Sequence, residues 1–298
     1  MDQGGLLFQR YDLHTHTTAS DGVLTPVQLV QRACKQGVNI LAITDHDTTA
    51  ALSEANQAIT QYQLPLQLIS GVEISTLWEK IEIHIVGLNF DPDHPAMVNL
   101  LAEQQQKRVD RAIAIAEKLE KAGIENALLG TQQIAGRDML TRAHFARYLI
   151  QCGKARSVAE VFKRYLAKGK IGYVPAQWCD IRTAVHAIHL AGGKAVLAHP
   201  GRYQLSTKWL KRLLQFFAEQ QGDAIEIAQC QQPPMERKQL ADYAIHYDLS
   251  VSMGSDFHQP CPWIELGRNL WLPKEVKPIW HQFARADQGH ENIEIKEV

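Results

Sequence analysis

This 298-residue chain contains thirteen histidines, and six of them stand where they could do chemistry together. His14, His16, His46, His84, His199 and His258 each lie within, or just past, a segment that reads as a β-strand. The other seven (His94, His144, His186, His189, His246, His281 and His290) fall in helices, loops or the tail. One strand-end histidine means little. Six mean more, because in a parallel α/β barrel every strand's C-terminal end opens on one face, where the chemistry sits. Three carboxylates accompany them: Asp21 after the first strand, Glu73 in SGVEIS and Asp256 in GSDFH. Spacings of two put His14 with His16, and Asp256 with His258, on a common side of extended chain. The same rule sets His84 and Glu82 opposite Ile81, Ile83 and Ile85. Imidazole nitrogens with carboxylate oxygens and no thiolate suit Mn²⁺, Fe²⁺ or Zn²⁺. Nine such ligands are too many for one ion and enough for two or three.

The elements that must position them alternate. Arg10–His14, Val38–Thr44, Leu66–Ile74, Ile81–Phe90, Lys194–Ala198, Ala224–Ala228 and Ser250–Gly254 read as seven strands. Most are followed by a helix. The first helix starts at Thr25-Pro26, with Thr as N-cap and Pro at the first helical position, and stops at Gly37. From Ala96 to about Ala167 the pattern turns wholly helical, led by a long helix over Met97–Lys121. The fold class is therefore α/β: a sheet or barrel interrupted by an all-helical insert. The expected division is 1–96 and 178–298 for the barrel and 97–177 for the insert. The tail after Asp287 is polar and reads as loosely held.

Composition narrows the class further. Hydrophobic residues at 45% and charged residues at 21% are ordinary for a globular protein, which excludes a disordered, collagenous or small disulfide-rich chain. No run of 18 apolar residues and no leader pattern is present, so neither a membrane span nor secretion is expected. Five scattered cysteines without a CxxC pair point away from disulfides and toward a reducing cytoplasm. The net charge is −1, yet residues 97–177 hold 14 Lys+Arg against 7 Asp+Glu. A basic segment in an acidic remainder fits one part that holds cations and another that attracts an anion, although a basic solvated surface would read the same way.

Taken in order, HTH (14–16), TDHD (44–47), GVE (71–73), His84, AHP (198–200) and GSDFH (254–258) resemble the PHP (polymerase and histidinol phosphatase) family. The likeness covers nearly all of the chain outside the insert. It implies a distorted (β/α)₇ barrel with three divalent metal ions, Mn²⁺ first and Fe²⁺ or Zn²⁺ next. Carried across, His14, His16, Glu73 and Asp256 would hold one ion. Glu73, His84 and His199 would hold a second, and Asp21, His46 and His258 the third. TRAHFARYL (141–149), KGKIGYVP (168–175) and HPGRY (199–203) resemble one bacterial branch, the 3′,5′-nucleoside bisphosphate phosphatases, also described as 5′→3′ exoribonucleases of the RNase AM type.

The chemistry implied is phosphoester hydrolysis by metal-activated water, with no protein nucleophile. Asp45 and Asp47 flank His46 and are expected to orient ligands, or, for Asp47, to cap the next helix. Arg142, Lys170 and Arg202 are the candidates to grip a second phosphate. His144, Phe145 and Tyr173 read first as packing residues. The partner expected is a nucleotide or short RNA with a 5′-phosphate, with no membrane and no obligate protein partner. Three rivals stand beside this reading: a histidinol-phosphate type phosphatase, a metal-dependent amidohydrolase and a metal-loaded nucleic-acid binding module.

Overall fold

The computed structural model describes residues 9–136 and 139–283. The tail after Asp287, with His290, lies outside the described residues. The order is β1 (Tyr11–Asp12), α1 (Pro26–Lys35), β2 (Ile40–Ile43), α2 (Ala51–Gln61), β3 (Gln67–Trp78), β4 (Ile81–Leu88) and α3 (Pro95–Lys121). Then come α4 (Ala127–Ala135), α5 (Arg142–Gln151), α6 (Val158–Val161) running into a π turn at Phe162–Leu166, β5 (Cys179–Asp180) and α7 (Ile181–Leu190). The chain continues with β6 (Lys194–Leu197), a 3₁₀ turn at Pro200–Tyr203, α8 (Thr207–Glu219), β7 (Ala224–Ala228), α9 (Pro234–His246) and β8 (Ser250–Met253).

Local chemistry accounts for many of these limits. Thr25 caps α1 in a capping box with Gln28, and Pro26 stands at the first helical position. Gly37, just past the end, takes the left-handed φ of +74° that stops the helix. Strands β2, β7 and β8 are buried at every position, as strands covered on both faces must be.

Seven strands form one path, β1-β2-β3-β4-β6-β7-β8, with the two-residue β5 added on β3. The path nearly closes. Leu13 N donates to Met253 O at 3.1 Å, Asp256 N to His14 O at 2.8 Å and His16 N to Phe257 O at 2.9 Å. One feature departs from a parallel barrel. Strand β4 runs antiparallel to both its neighbours. It is joined to β3 by a two-residue loop, Glu79-Lys80, whose φ values of +50° and +65° match the turn that lets two twisted strands fold back. His84 and Glu73 therefore reach the site from within β4 and β3, whereas His14, His16, His46, Asp256 and His258 come from the loops that follow parallel strands.

The interior is filled by Leu13, Ile40, Ala42, Ile69, Val86, Leu88, Val196, Ala198 and Ala224. Alternate residues point outward against the helices: Ile83 and Ile85 of β4 join Val72, Ile74, Leu197 and Ile225 in the outer layer. Residues between Ala112 and Leu166 form a separate apolar cluster around Phe145, Leu149 and Leu119. Helix α3 serves both. Met97, Leu100 and Leu101 pack on the barrel, while Ile115, Ala116 and Leu119 pack in this second cluster. At 27 residues it is about 40 Å long.

Candidate metal centre

All nine ligand candidates arrive in one place. His14, His16 and Asp21 come from the loop after β1, His46 from the loop after β2, Glu73 and His84 from β3 and β4, His199 from the end of β6, and Asp256 and His258 from the loop after β8. Glu73 is at the centre. Its Oε2 lies 3.4 Å from His14 Nε2, 3.3 Å from His16 Nε2 and 3.0 Å from His46 Nδ1. Its Oε1 lies 2.8 Å from His84 Nδ1 and 2.9 Å from His199 Nε2. Asp256 Oδ1 is 3.1 Å from His16 Nε2, 3.4 Å from His14 Nε2 and 3.5 Å from His258 Nδ1. Asp21 Oδ1 is 3.2 Å from His258 Nε2, and Oδ2 is 3.8 Å from His46 Nε2. His199 and Asp256 hold φ values of +31° and +52°, unusual for residues with a Cβ and typical of strain kept at a working site. Gly254 is required beside them, because a Cβ there would run into the backbone and Cβ of His14.

The donor set fits divalent cations. His14 Nε2, His16 Nε2, His46 Nδ1, His199 Nδ1 and Asp21 Oδ1 are buried with no hydrogen-bond partner. Several lie close to carboxylate oxygens, yet not in hydrogen-bonding directions. Their lone pairs converge on shared points, which a cation satisfies. Four ligand groups have that geometry: His16, Asp21, His46 and His258; His14, His16 and Glu73; His14, His199 and Asp256; and His46, Glu73 and His84. The charges agree. Burial opposes ionisation of Glu73, Asp21 and Asp256, but the imidazoles around them hold all three well below the ordinary carboxylate range. Burial alone would depress His14 and His258. The carboxylates beside them overcome it and push His258 up to about 10. The same carboxylates that raise these two groups give the site the negative charge that attracts a metal ion.

Glu226 belongs to the same site and was not among the expected ligands. It is buried in β7, its Oε2 lies 3.2 Å from His14 Nδ1, and it accepts a hydrogen bond from His199 N at 2.7 Å. It fixes the ring of one ligand and the backbone of another. The signal was available in AIEIA, where an acid interrupts a strand with no exposed position. Asp45 accepts from Thr17 N, Thr17 Oγ1 and Ser20 Oγ at 2.8, 2.6 and 2.5 Å, tying down the loop that carries His16 and Asp21. Asp47 caps nothing, since α2 begins at Ala51 behind Ala50. Its carboxylate instead accepts from Arg108 Nε of α3 at 2.6 Å and from Ser75 N at 2.9 Å, joining the long helix to β3.

A cavity of about 140 Å³ lies between the cluster and helices α3 and α5. Asp21, His46 and His84 line one side, and Arg108, Arg111, Arg142, Phe145 and Trp178 line the other. Arg142 is in place but not free. Glu82 accepts from Arg142 Nη2 at 3.0 Å and Arg111 Nη2 at 2.8 Å. Burial would raise the Glu82 carboxyl, yet the two guanidinium groups hold it at about 2. Arg108 and Arg111 both stack on Trp178, at 4.9 and 5.3 Å from its ring centre. Arg202 stands half-exposed at the rim, paired with Asp256. Lys170 is exposed in a turn where its N–H donates to Ala167 O and its carbonyl accepts from Tyr173 N, and it is not among the residues that line this cavity. His144 packs, buried, in the capping box of α5, and Phe145 serves both the insert's core and the cavity wall.

Residues 12–229 match the PHP domain. The chain belongs to the PHP family. It is 63% identical over 281 residues to the 5′-3′ exoribonuclease Rnm of Escherichia coli (strain K12), covering 94% of this chain and 96% of that one. It is 38% identical over 276 residues to the 3′,5′-nucleoside bisphosphate phosphatase of Chromobacterium violaceum, covering 91% and 95%. A solved structure of an amidohydrolase from Chromobacterium violaceum, with bound sulfate and no metal, matches with a TM-score of 0.86 at 37% identity over 92% of this chain and 95% of that one. The PHP match ends at residue 229, so Asp256 and His258 complete the site from beyond it. Among the described residues no helix is long and apolar enough to cross a membrane.

Proposed function

We propose that this protein is a metal-dependent phosphoesterase for nucleotides that carry a 5′-phosphate. It hydrolyses the 3′-phosphate of nucleoside 3′,5′-bisphosphates and removes nucleotides one at a time from the 5′ end of 5′-phosphorylated RNA. The observation that carries this reading is the cluster of nine histidines and acids facing, across one small cavity, an insert wall of arginines. The names of the relatives from Escherichia coli and Chromobacterium violaceum support both substrates. The reaction is assigned to the cytoplasm, where the free thiols of Cys34, Cys152, Cys179, Cys230 and Cys261 stay reduced.

In this reading the nine ligands, with Glu73 at their centre, would hold three divalent ions, Mn²⁺ above Fe²⁺ or Zn²⁺. Bound there, the ions supply activated water and neutralise the phosphoryl oxygens. The protein's own residues do the rest. Glu226 and Asp45 keep the histidine rings and their loops oriented. Residues 97–177 act as a cap, and Arg142 presents its two-pronged guanidinium to the 5′-phosphate. Arg202, held by Asp256, contacts a phosphate at the rim. A bisphosphate and an RNA 5′ end share a 5′-phosphate next to a 3′-phosphoester, so one set of contacts serves both.

The test is direct. The purified protein, stripped with EDTA and reloaded with Mn²⁺, is incubated with adenosine 3′,5′-bisphosphate, a 5′-phosphorylated oligoribonucleotide, histidinol phosphate and a panel of amides. Activity on the first two that vanishes with EDTA and returns with Mn²⁺ is expected. Turnover confined to histidinol phosphate or to amides refutes the reading, as does RNA binding without cleavage.

A further inference from the structure

A second pocket, of about 310 Å³, lies behind Arg202 and shares no lining residue with the insert cavity. We infer that it binds the base of the second nucleotide of an RNA substrate. This rests on the function proposed above. When RNA is hydrolysed, water adds to the phosphorus, the bond from phosphorus to the first nucleotide's 3′ oxygen breaks, and that oxygen takes up a proton. The first nucleotide leaves as a 5′-monophosphate. The second stays joined to the phosphorus, which becomes its new 5′-phosphate. A bisphosphate has no second nucleotide, so a site for one separates the two substrates.

The pocket adjoins the metal centre, since Arg202, which lines it, is paired with the ligand Asp256. Gly201 and Arg202 follow β6 directly after His199, and Gln229 and Gln232 follow β7 directly after the strand of Glu226. Both loops leave the barrel at the end that carries the metal ligands. Its chemistry suits a base. Gln229 is only 7% exposed, and its Nε2 has no hydrogen-bond partner in the protein. Gln232 donates from Nε2 to Glu236 Oε1 at 3.4 Å, leaving its buried Oε1 without a partner. One unpaired donor and one unpaired acceptor are what the hydrogen-bonding edge of a base satisfies. Ile264 adds apolar surface for the face of the ring. The charges are ordered as well. Arg202 at the mouth accepts a phosphate, while Glu236 repels one from the interior. The carboxylate of Glu236 lies against Gly201, in space that the Cβ of any other residue would fill.

The experiment compares kcat/KM in Mn²⁺ for three substrates: adenosine 3′,5′-bisphosphate, a 5′-phosphorylated diribonucleotide, and the same dinucleotide with an abasic second residue. In the unaltered protein the abasic substrate is expected to fall about tenfold below the intact one, the worth of one lost base contact. Gln232→Ala should lower the ratio of dinucleotide to bisphosphate turnover about tenfold and should no longer distinguish the abasic substrate. An unaltered protein indifferent to the missing base would overturn the inference while leaving the phosphoesterase reading intact. So would a Gln232→Ala protein that loses the same factor on the bisphosphate and the dinucleotide. Turnover of neither substrate by the unaltered protein removes the phosphoesterase reading and the inference with it.

Discussion

Replacing Glu82 by Gln should move stability and substrate affinity in opposite directions. The carboxylate is 23% exposed and pairs with Arg111 and Arg142, so the free protein keeps its anion-gripping wall partly neutralised. The two guanidinium groups hold its pKa at about 2 against an ordinary 4.5. A carboxyl depressed in the folded state stabilises it fully above pH 4.5, and that stability is lost as the pH falls toward 2. The depression corresponds to about 3 kcal/mol at neutral pH. At ~2.1 cal/mol/K of unfolding entropy per residue, the loss lowers Tm by about 5 °C. The same charge opposes a phosphate seated beside Arg142. At a separation of roughly 6 Å and an effective dielectric of about 20, the repulsion is of order 3 kcal/mol, reduced by salt to about 1–2. Glu82→Gln should therefore lower KM for a 3′,5′-bisphosphate about tenfold while kcat changes little. Thermal melts and initial rates from pH 6 to 9 measure both, and the effect should not vary across that range because Glu82 is ionised throughout. A KM that stays the same or rises would mean that the cavity between Glu82 and the metal centre does not receive the 5′-phosphate.

Other perturbations test neighbouring links. Arg142→Ala should raise KM for the bisphosphate by at least tenfold and leave KM for a simple aryl phosphate nearly unchanged; equal losses on both would remove its anchoring role. Glu226→Gln should weaken metal retention or activity about 10–100-fold with the far-ultraviolet circular dichroism unchanged, read by metal analysis after dialysis and by Mn²⁺ titration of the rate. Full metal content and full activity in that variant would show that Glu226 does not orient His14 and His199. Gly254→Ala should abolish activity and lower Tm, because its Cβ displaces His14. A fully active Gly254→Ala protein would contradict the packing of β8 against the HTH loop.

The residues of the centre were legible because each is a conspicuous type at a conspicuous place. His14, His16, His46, Glu73, His199, Asp256 and His258 stand at or near strand ends in a chain whose strands read clearly from their apolar runs. Thr25-Pro26 and Gly37 announced a helix with its own stop signals. Those features depend on the near neighbours of each residue, and near neighbours are what a sequence displays. The antiparallel course of β4 was hidden because the turn that reverses it is Glu79-Lys80, a pair without the glycine or asparagine that usually marks such loops.

Partnership over long separations was decided only in three dimensions. That Arg142 is neutralised by Glu82, 60 residues earlier, and that Asp47 binds Arg108, 61 residues later, cannot be read from spacing. Glu226 showed its anomaly in the strand, but not that it would meet His14 across 212 residues. Lys170 carried the right charge in a basic segment, and the turn that holds it left it outside the cavity. Residue type limits what a side chain can bind. Which atom comes within 3 Å of it depends on how the strands close and where a 27-residue helix points, and those are properties of the whole fold.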